Sequence, residues 1–596
     1  MAILRVLALA LVGTSWVNAE ASCKCGPRDE CWPSLARWDD LNESLAGRVL
    51  PNVLGIEVCF SENEEDQNTC LELAAFQPTE ATLETDENML SKCPLRPASA
   101  YIIRATEADD VAKALVFAKS HNLRVSTGSD RDDLQRSRAK GTLHISTASI
   151  RKGTEYHESY PTDSLCPHTK WSGSAFTVQG GYTWAELYTK AFAQNLIVIG
   201  NTDQTAEITT SSDTLHPPLH TLGLPADQIL SMDVVLASGA TVSANACHNP
   251  DLFFALRGGS STAYGVIVST TLKAHPSRPV TAHSLQVYPA PHRRDPIAGA
   301  LALIDAVAEI LAAYPALSEG EFSGQGSWGV EKVGEGIHLP GVPAAVLANG
   351  GYSHVVARVE NDGSNGGDGS SRALLDTALM DALRWRNGSS LVVEETVTEY
   401  ASFGEYFNAV GGMNAMAYGK AAVTSRLLDR TALSADTEML KEMLRITATN
   451  APEMPHRATI WTHLSLVGRG EDPGDRHVSV HPAWRRSCAV MAPMATLPGD
   501  ADKGEFEKAQ VDATLRKGDA LRELAPMTGA SLGWKDARNP WWKTDLFGDG
   551  YPRLRAIKER YDPGGMFYCE TCVGSEDWEE IEKDEGEEGE AVLCRV

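Results

Sequence analysis

The segment from Asn249 to Lys273, NPDLFFALRGGSSTAYGVIVSTTLK, constrains the fold more than any other stretch of the chain. Its Arg257-Gly258-Gly259 turn lets the backbone approach a ligand at a distance that a side chain would prevent. Gly265 then opens a β-branched run that reads as a strand beside the turn, so Val266 and Ile267 join Gly258, Gly259 and Gly265 as candidate ligand neighbours.

The elements before this segment are regular. YIIRAT from Tyr101 reads as a strand, and DDVAKALVFAKSHN has helical periodicity with Asp109 and Asp110 in its first turn. LRVSTG and TLHIST are further strands, and FTVQGG, TWAELYTKAFAQN and LIVIG give strand, helix, strand. This alternation predicts an α/β or α+β region up to about His275. Beyond Pro276 the texture changes to long helical stretches such as IAGALALIDAVAEILAAY and alternating strands such as SHVVARV and ATIWTHLSLV, interrupted by the loop NDGSNGGDGSS.

At 596 residues the chain exceeds one compact core, so two domains, or one with a large insertion, are expected. Residues 1–19 have the charge, apolar run and small residues of a cleaved secretory signal peptide, and no later segment reads as apolar for long enough to cross a bilayer. Export accounts for 12 cysteines and for sequons at Asn42 and Asn387. Cys23, Cys25, Cys31, Cys59, Cys70 and Cys93 form a disulfide framework of undetermined pairing, and Cys569-Glu-Thr-Cys572 reads as a disulfide rather than half of a zinc site. The net charge of -26 argues against nucleic acid or an anionic membrane as partner. Part of that charge is the acidic run from Glu576 to Glu590, which reads as a solvated, disordered end. No Ser-His-Asp arrangement, P-loop or HExxH is present, and no metal site is expected.

The motif around Arg257, with GLPADQILSMDVVLASGATV before it, resembles the berberine-bridge-enzyme-like family of FAD-linked oxidoreductases. The resemblance extends to CWPS and WDDLN near one end and to FGDGYPRLRAIKERYDPGGMF and VGSEDW near the other, which are most like filamentous-fungal members. It implies an α+β fold: a two-part flavin-binding domain of the vanillyl-alcohol-oxidase type, with an inserted substrate domain of antiparallel sheet covered by helices. The implied boundaries are a cysteine-rich segment at 20–95, the FAD-type domain at 96–276, the substrate domain at 277–505, a returning segment at 506–578 and the tail at 579–596.

What the family uses to hold flavin is partly missing. Where members carry a Gly-His-Asp motif ahead of Gly-Arg-Ser, this chain has Thr127-Gly128 and, later, Arg136-Ser137, with Ser129 or Arg131 in place of the flavin-linking histidine. The stretch Gly200-Asn-Thr-Asp-Gln lacks the second attachment residue, a cysteine. The phosphate cradle, TAEITTSSDTLHPP from Thr205, has no glycine, and Glu207 and Asp213 bring carboxylates toward a dianionic diphosphate. Like charges about 5 Å apart repel by about 3 kcal/mol at an effective dielectric near 20. Ser531-Leu-Gly-Trp534 stands where members have Tyr-Leu-Asn-Glu, and a serine cannot replace a phenol as a base.

Two readings follow. In one, the chain is a tailoring enzyme of specialised metabolism that oxidises or cyclises a small organic substrate with noncovalent FAD. In the other, it is a flavin-free cyclase or isomerase, or a noncatalytic binding protein. On the strands, alternation groups Trp461, His463 and Ser465 on one face and Tyr352 and His354 on one face. A substrate-facing sheet makes His463 and Tyr352 acid-base candidates, and His216, beside the altered cradle, is a third.

Overall fold

The computed structural model describes residues 23–51, 100–128, 142–160, 171–201, 206–208, 222–290, 296–332, 342–360, 369–388, 390–410, 420–451, 458–467, 477–498, 501–582 and 591–596. Arg136, Ser137, Asp213, His216 and the signal segment lie outside these residues.

The chain first builds a four-stranded sheet from β1 (Val49–Pro51), β2 (Tyr101–Arg104), β3 (Val125–Gly128) and β4 (Leu143–Ser146), in the order β1-β2-β4-β3. β4 runs parallel to both β2 and β3, as the intervening helix Ala108–Ser120 requires. That helix buries Val111, Ala114, Leu115 and Ala118 on one stripe, with Asp109 and Asp110 in its first turn.

The next strands are β5 (Thr154–His157), β6 (Ala175–Gln179), β7 (Leu196–Ile197), β8 (Ile229–Val235), β9 (Thr241–Asn245), β10 (Val266–Lys273) and β11 (His275–Pro276). Five of them form an antiparallel sheet in the order β5-β6-β10-β8-β9, while β7 pairs with β11. Between β6 and β7 the helix Trp184–Ala193 starts on a capping box, in which Thr183 and Glu186 satisfy each other's backbone N–H groups.

A large antiparallel sheet follows, from β12 (Val280–Pro289), β13 (Ser323–Gly329), β14 (Gly351–Val359), β15 (Leu391–Tyr400), β16 (Lys420–Val423), β17 (Arg426–Asp429), β18 (Thr459–Leu466) and β19 (Ser487–Leu497). Its order is β15-β12-β14-β13-β18-β19-β16, with β17 also on β19. One face carries the helices Pro296–Glu319 and Thr437–Ala448 over a core of Leu285, Tyr314, Tyr352, Val356, Leu444, Leu464 and Met491. The other face meets the earlier part of the chain: Ala282, Ala357, Leu427 and Val490 pack with Ile197, Ile199 and Leu224, and with Phe403 from the segment after β15.

Two expectations are corrected. The stretch Ile297–Glu319 is long and apolar enough to cross a membrane, but Leu303, Val307, Ile310, Leu311 and Leu317 cover the sheet, which explains its composition. The acidic end is not one disordered tail, because β20 (Trp578–Glu582) and β21 (Ala591–Arg595) pair as antiparallel strands and Cys594 is disulfide-bonded to Cys23.

Candidate functional site

Register decides which strand residues meet. Directly opposed residues on adjacent strands share a face, so Gln286, Ser353, Ser327, His463 and Ala492 form one row across five strands. The next row on that face is Ser284, Val355, Gln325, Ser465 and Val490. Both rows lie on the side that meets the earlier part of the chain. The result is a floor whose centre is lined by serines, glutamines and His463, with Glu394 opposite Gln286 at the β15 edge and Trp461 two residues from His463 on the same face.

His463 is 4% exposed, and its Nε2 shares a hydrogen bond of 3.1 Å with Ser465 Oγ. Burial pushes its imidazole down to about 4, so the ring is neutral at physiological pH. The ring of Trp534 lies 5.2 Å away, centroid to centroid. Trp534 arrives on a segment anchored to the edge of the sheet: Ser531 N donates to Ser425 Oγ at 3.1 Å, and Leu427 N to the Gly529 carbonyl at 2.8 Å. Among the described residues, His463 Nδ1, Ser327 Oγ and Trp461 Nε1 are buried without a hydrogen-bond partner. Three orphaned polar atoms on neighbouring positions of one face are costly unless a ligand or water satisfies them.

Tyr352 is turned the other way. It opposes Trp328 and Val287 on the helix-covered face, where its hydroxyl lies 2.9 Å from Tyr314 Oη and 2.6 Å from His354 Nδ1. His354 Nε2 is 2.9 Å from His283 Nδ1 in turn. Burial raises the phenol of Tyr352 well above its ordinary range and lowers the imidazole of His354 well below. Tyr352 therefore belongs to a satisfied interior chain and is separated from His463 by the sheet itself, because the one-residue parity of the register puts them on opposite faces.

At the end of β3, Thr127 is half-buried and Gly128 has φ +142°, with no atom of the described residues within 4 Å of where a Cβ would stand. Gly128 O accepts from Thr147 N at 3.3 Å, and Thr147 Oγ1 donates to Glu207 Oε2 at 2.7 Å. The described part of the altered cradle is thus tied to the end of β3, with Glu207 only 2% exposed. Ala206 O accepts from Trp184 N and Ile208 N donates to Tyr182 O, both at 3.1 Å, while Ala206 and Ile208 join the core. The carboxylate of Glu207 is thus buried against the end of β3.

The glycines of the opening motif are taken up by the protein. A Cβ on Gly258, whose φ is +110°, would lie 2.6 Å from Val480 N; on Gly259, 2.5 Å from Ala255 O; on Gly265, 2.8 Å from Val235 O. Arg257 stacks on Phe253 at 3.9 Å and donates from Nη2 to His477 O at 2.6 Å. Val266 and Ile267 are buried on two different cores. Gly258 and Ser260 do line a pocket with Leu224, Val480, Trp484 and Leu532, where the two parts of the chain meet.

Ser327 was not legible as a site residue from the sequence. It lies in SGQGSWG, whose glycines dominate the pattern, and only pairing with β18 brings it opposite His463.

The family model described as berberine and berberine like matches residues 531–574, the segment that carries Trp534. The chain is 31% identical to the FAD-linked oxidoreductase apf9 of Gibberella fujikuroi over 591 residues, covering 94% of this chain and 96% of the relative. It is 27% identical to the bifunctional decalin synthase calF of Penicillium decumbens over 606 residues, covering 97% and 96%. The crystal structure of the VAO-type flavoprotein MtVAO713 from Myceliophthora thermophila C1 superimposes with a TM-score of 0.81 at 30% identity, covering 97% of this chain and all of that one.

Proposed function

Because the chain belongs to the berberine-bridge-enzyme-like FAD-linked oxidoreductases with a vanillyl-alcohol-oxidase-type fold, we propose that it is an exported tailoring enzyme of specialised metabolism that oxidises or cyclises a small organic substrate beside noncovalently held FAD. The observation that carries this reading is the trio of orphaned buried atoms, His463 Nδ1, Ser327 Oγ and Trp461 Nε1, on the sheet face turned toward the flavin-type part of the chain.

FAD, when bound, supplies a two-electron acceptor. Thr127 and Gly128 would hold it at the open end of β3, and the lack of the family's histidine and cysteine leaves it without its usual covalent bonds. The remaining work falls to the chain. Trp461 Nε1 donates to a hydroxyl or carbonyl oxygen of the substrate, Ser327 orients it, and neutral His463 takes a proton at Nδ1. Trp534 covers His463 and keeps water from it. Around His463 and Ser327 the floor is uncharged, and its carboxylate, Glu394, stands opposite Gln286 at the β15 edge.

A buried carboxylate, Glu207, in a cradle stretch without glycine favours a second reading, a flavin-free cyclase or isomerase on the same fold. One measurement separates the two. The visible spectrum of the purified protein is recorded before and after acid precipitation, and we expect a flavin band near about 450 nm, at about one flavin per chain, that moves to the supernatant. A colourless protein that added FAD cannot reconstitute would establish the second reading. A band that stays in the precipitate would refute the noncovalent one.

A further inference from the structure

We propose that Cys569–Cys572 is an exchange-active disulfide, a reversible two-electron site at the edge of the β3 sheet that is separate from the substrate floor. Three disulfides join described cysteines to one another: Cys23–Cys594, Cys25–Cys31 and Cys569–Cys572, with sequence separations of 571, 6 and 3. The restriction a crosslink places on the unfolded chain grows with the logarithm of the loop it closes. Cys569–Cys572 therefore contributes least of the three to stability by that route, and a purely structural role explains it least well.

Its surroundings suit exchange. Cys569 is half-buried while Cys572 is buried in the core beside Val573, so one sulfur is reachable and the other is sheltered. This is the asymmetry of an attacked and a leaving sulfur. Between them Thr571 has φ +56°, a left-handed conformation that a β-branched residue adopts only at a cost. The turn carries its own hydrogen bond, Cys572 N donating to Cys569 O at 3.1 Å, and is held from outside by Lys535 Nζ, which donates to Glu570 O. The pair can open without unravelling the segment.

Position gives the site a consequence. Phe567 runs parallel beside Val125 of β3, with Val125 N donating to Met566 O at 3.5 Å. Cys569 thus follows by two residues the backbone that flanks β3, the strand ending at the open turn of Gly128. The guanidinium of Arg124 lies 4.9 Å from the ring of the intervening Tyr568 and pairs with Glu580 at 2.8 Å, which fixes this segment beside β3.

The reaction is thiol–disulfide exchange with an external dithiol. One reductant thiolate attacks Cys569 Sγ, forms a mixed disulfide and expels the Cys572 thiolate. The second reductant thiol then displaces Cys569, so the reductant leaves as a disulfide and its two protons end on Cys569 and Cys572. Two electrons pass to the protein, and an oxidant of the disulfide class reverses the step.

The test uses the intact folded protein. It is equilibrated in graded dithiothreitol, trapped with N-ethylmaleimide and mapped by peptide mass spectrometry, with circular dichroism followed in parallel. We expect two labels on the peptide bearing Cys569 and Cys572 at a dithiothreitol concentration at least tenfold below that which labels Cys23, Cys594, Cys25 or Cys31, with the far-ultraviolet spectrum unchanged and the labels lost after reoxidation. Labelling of all three disulfides together, or only as the spectrum collapses, overturns the proposal. In a second arm, Cys572→Ser is exposed to glutathione disulfide, and we expect one glutathione on Cys569. No adduct there, in a variant with native circular dichroism, overturns it as well.

Discussion

At the residue scale, the buried histidines make a prediction about acid. His275, His283 and His463 are each lowered to about 4, in every case first by burial, and burial also lowers His354 well below its ordinary value. An unfolded histidine titrates near 6.5, so between that value and about 4 the unfolded chain binds more protons than the folded one. Stability is then fully present above about pH 6.5 and falls as the pH drops, by about 1.4 kcal/mol per pH unit for each such histidine. Denaturant midpoints measured from pH 7 to 4 should decline steadily. His275→Gln should remove one proton's share of the slope, since His275 bonds only a neutral partner, Gln228 Oε1 at 2.8 Å. A flat profile in the parent protein would contradict the neutral, buried state assigned to these rings. Tyr352 and His463 differ at the same scale: both are buried polar residues on strands, yet the first has its partners inside the protein and the second has an atom to spare.

At the scale of elements, the glycine turns yield a prediction of opposite signs. Gly258→Ala sets a Cβ 2.6 Å from Val480 N at φ +110°, so both the backbone conformation and the space oppose it. We expect a loss of about 2–4 kcal/mol in chemical unfolding. Gly550→Ala, at φ −75° with no atom within 4 Å of the new Cβ, should be neutral or stabilising by up to about 1 kcal/mol. Equal effects would mean that the Val480 approach is unimportant. The same elements show what local sequence can and cannot carry. Strands such as YIIR and AFTVQ and the helix ADDVAKALVFAKS follow from periodicity and propensity, which are local properties. The grouping of His463 with Ser465, and of Tyr352 with His354, also follows, because alternation within one strand is local. That the two groups face apart does not, since it depends on pairing between β14, β13 and β18, which are far apart in the chain. Likewise a glycine-rich turn announces a close approach without saying to what, and at Gly258, Gly259 and Gly265 the neighbour is the protein itself. An apolar helix of membrane length and one that covers a large sheet are the same string of residues until the sheet is seen.

At the scale of the molecule, the two ends of the described chain are held to each other and to the β3 sheet. Cys23 is bonded to Cys594, Lys24 N donates to Leu593 O at 2.7 Å, and Lys24 Nζ reaches Gly564 O at 2.8 Å. From the same region Arg124, which precedes β3, pairs with Glu580 on β20 at 2.8 Å. A hairpin this acidic would repel itself in isolation, so the covalent bond and the basic residues beneath it have a definite role: they keep β20 and β21 against the sheet that ends at Gly128. A crosslink spanning nearly the whole chain removes more freedom from the unfolded state than a short one, and removing such a native bond typically costs about 2–5 kcal/mol. We expect the double variant Cys23→Ser/Cys594→Ser to lose stability within that range. Limited proteolysis should then cut between β20 and β21 sooner than in the parent, while the eight-stranded sheet, whose core does not include either terminus, keeps its protection. If cleavage of the hairpin is unchanged, Lys24, Arg124 and the strand pairing alone suffice to hold it. If the eight-stranded sheet loses protection at the same rate, the ends are coupled to the whole molecule rather than to the β3 sheet, and the terminal bond acts on global unfolding.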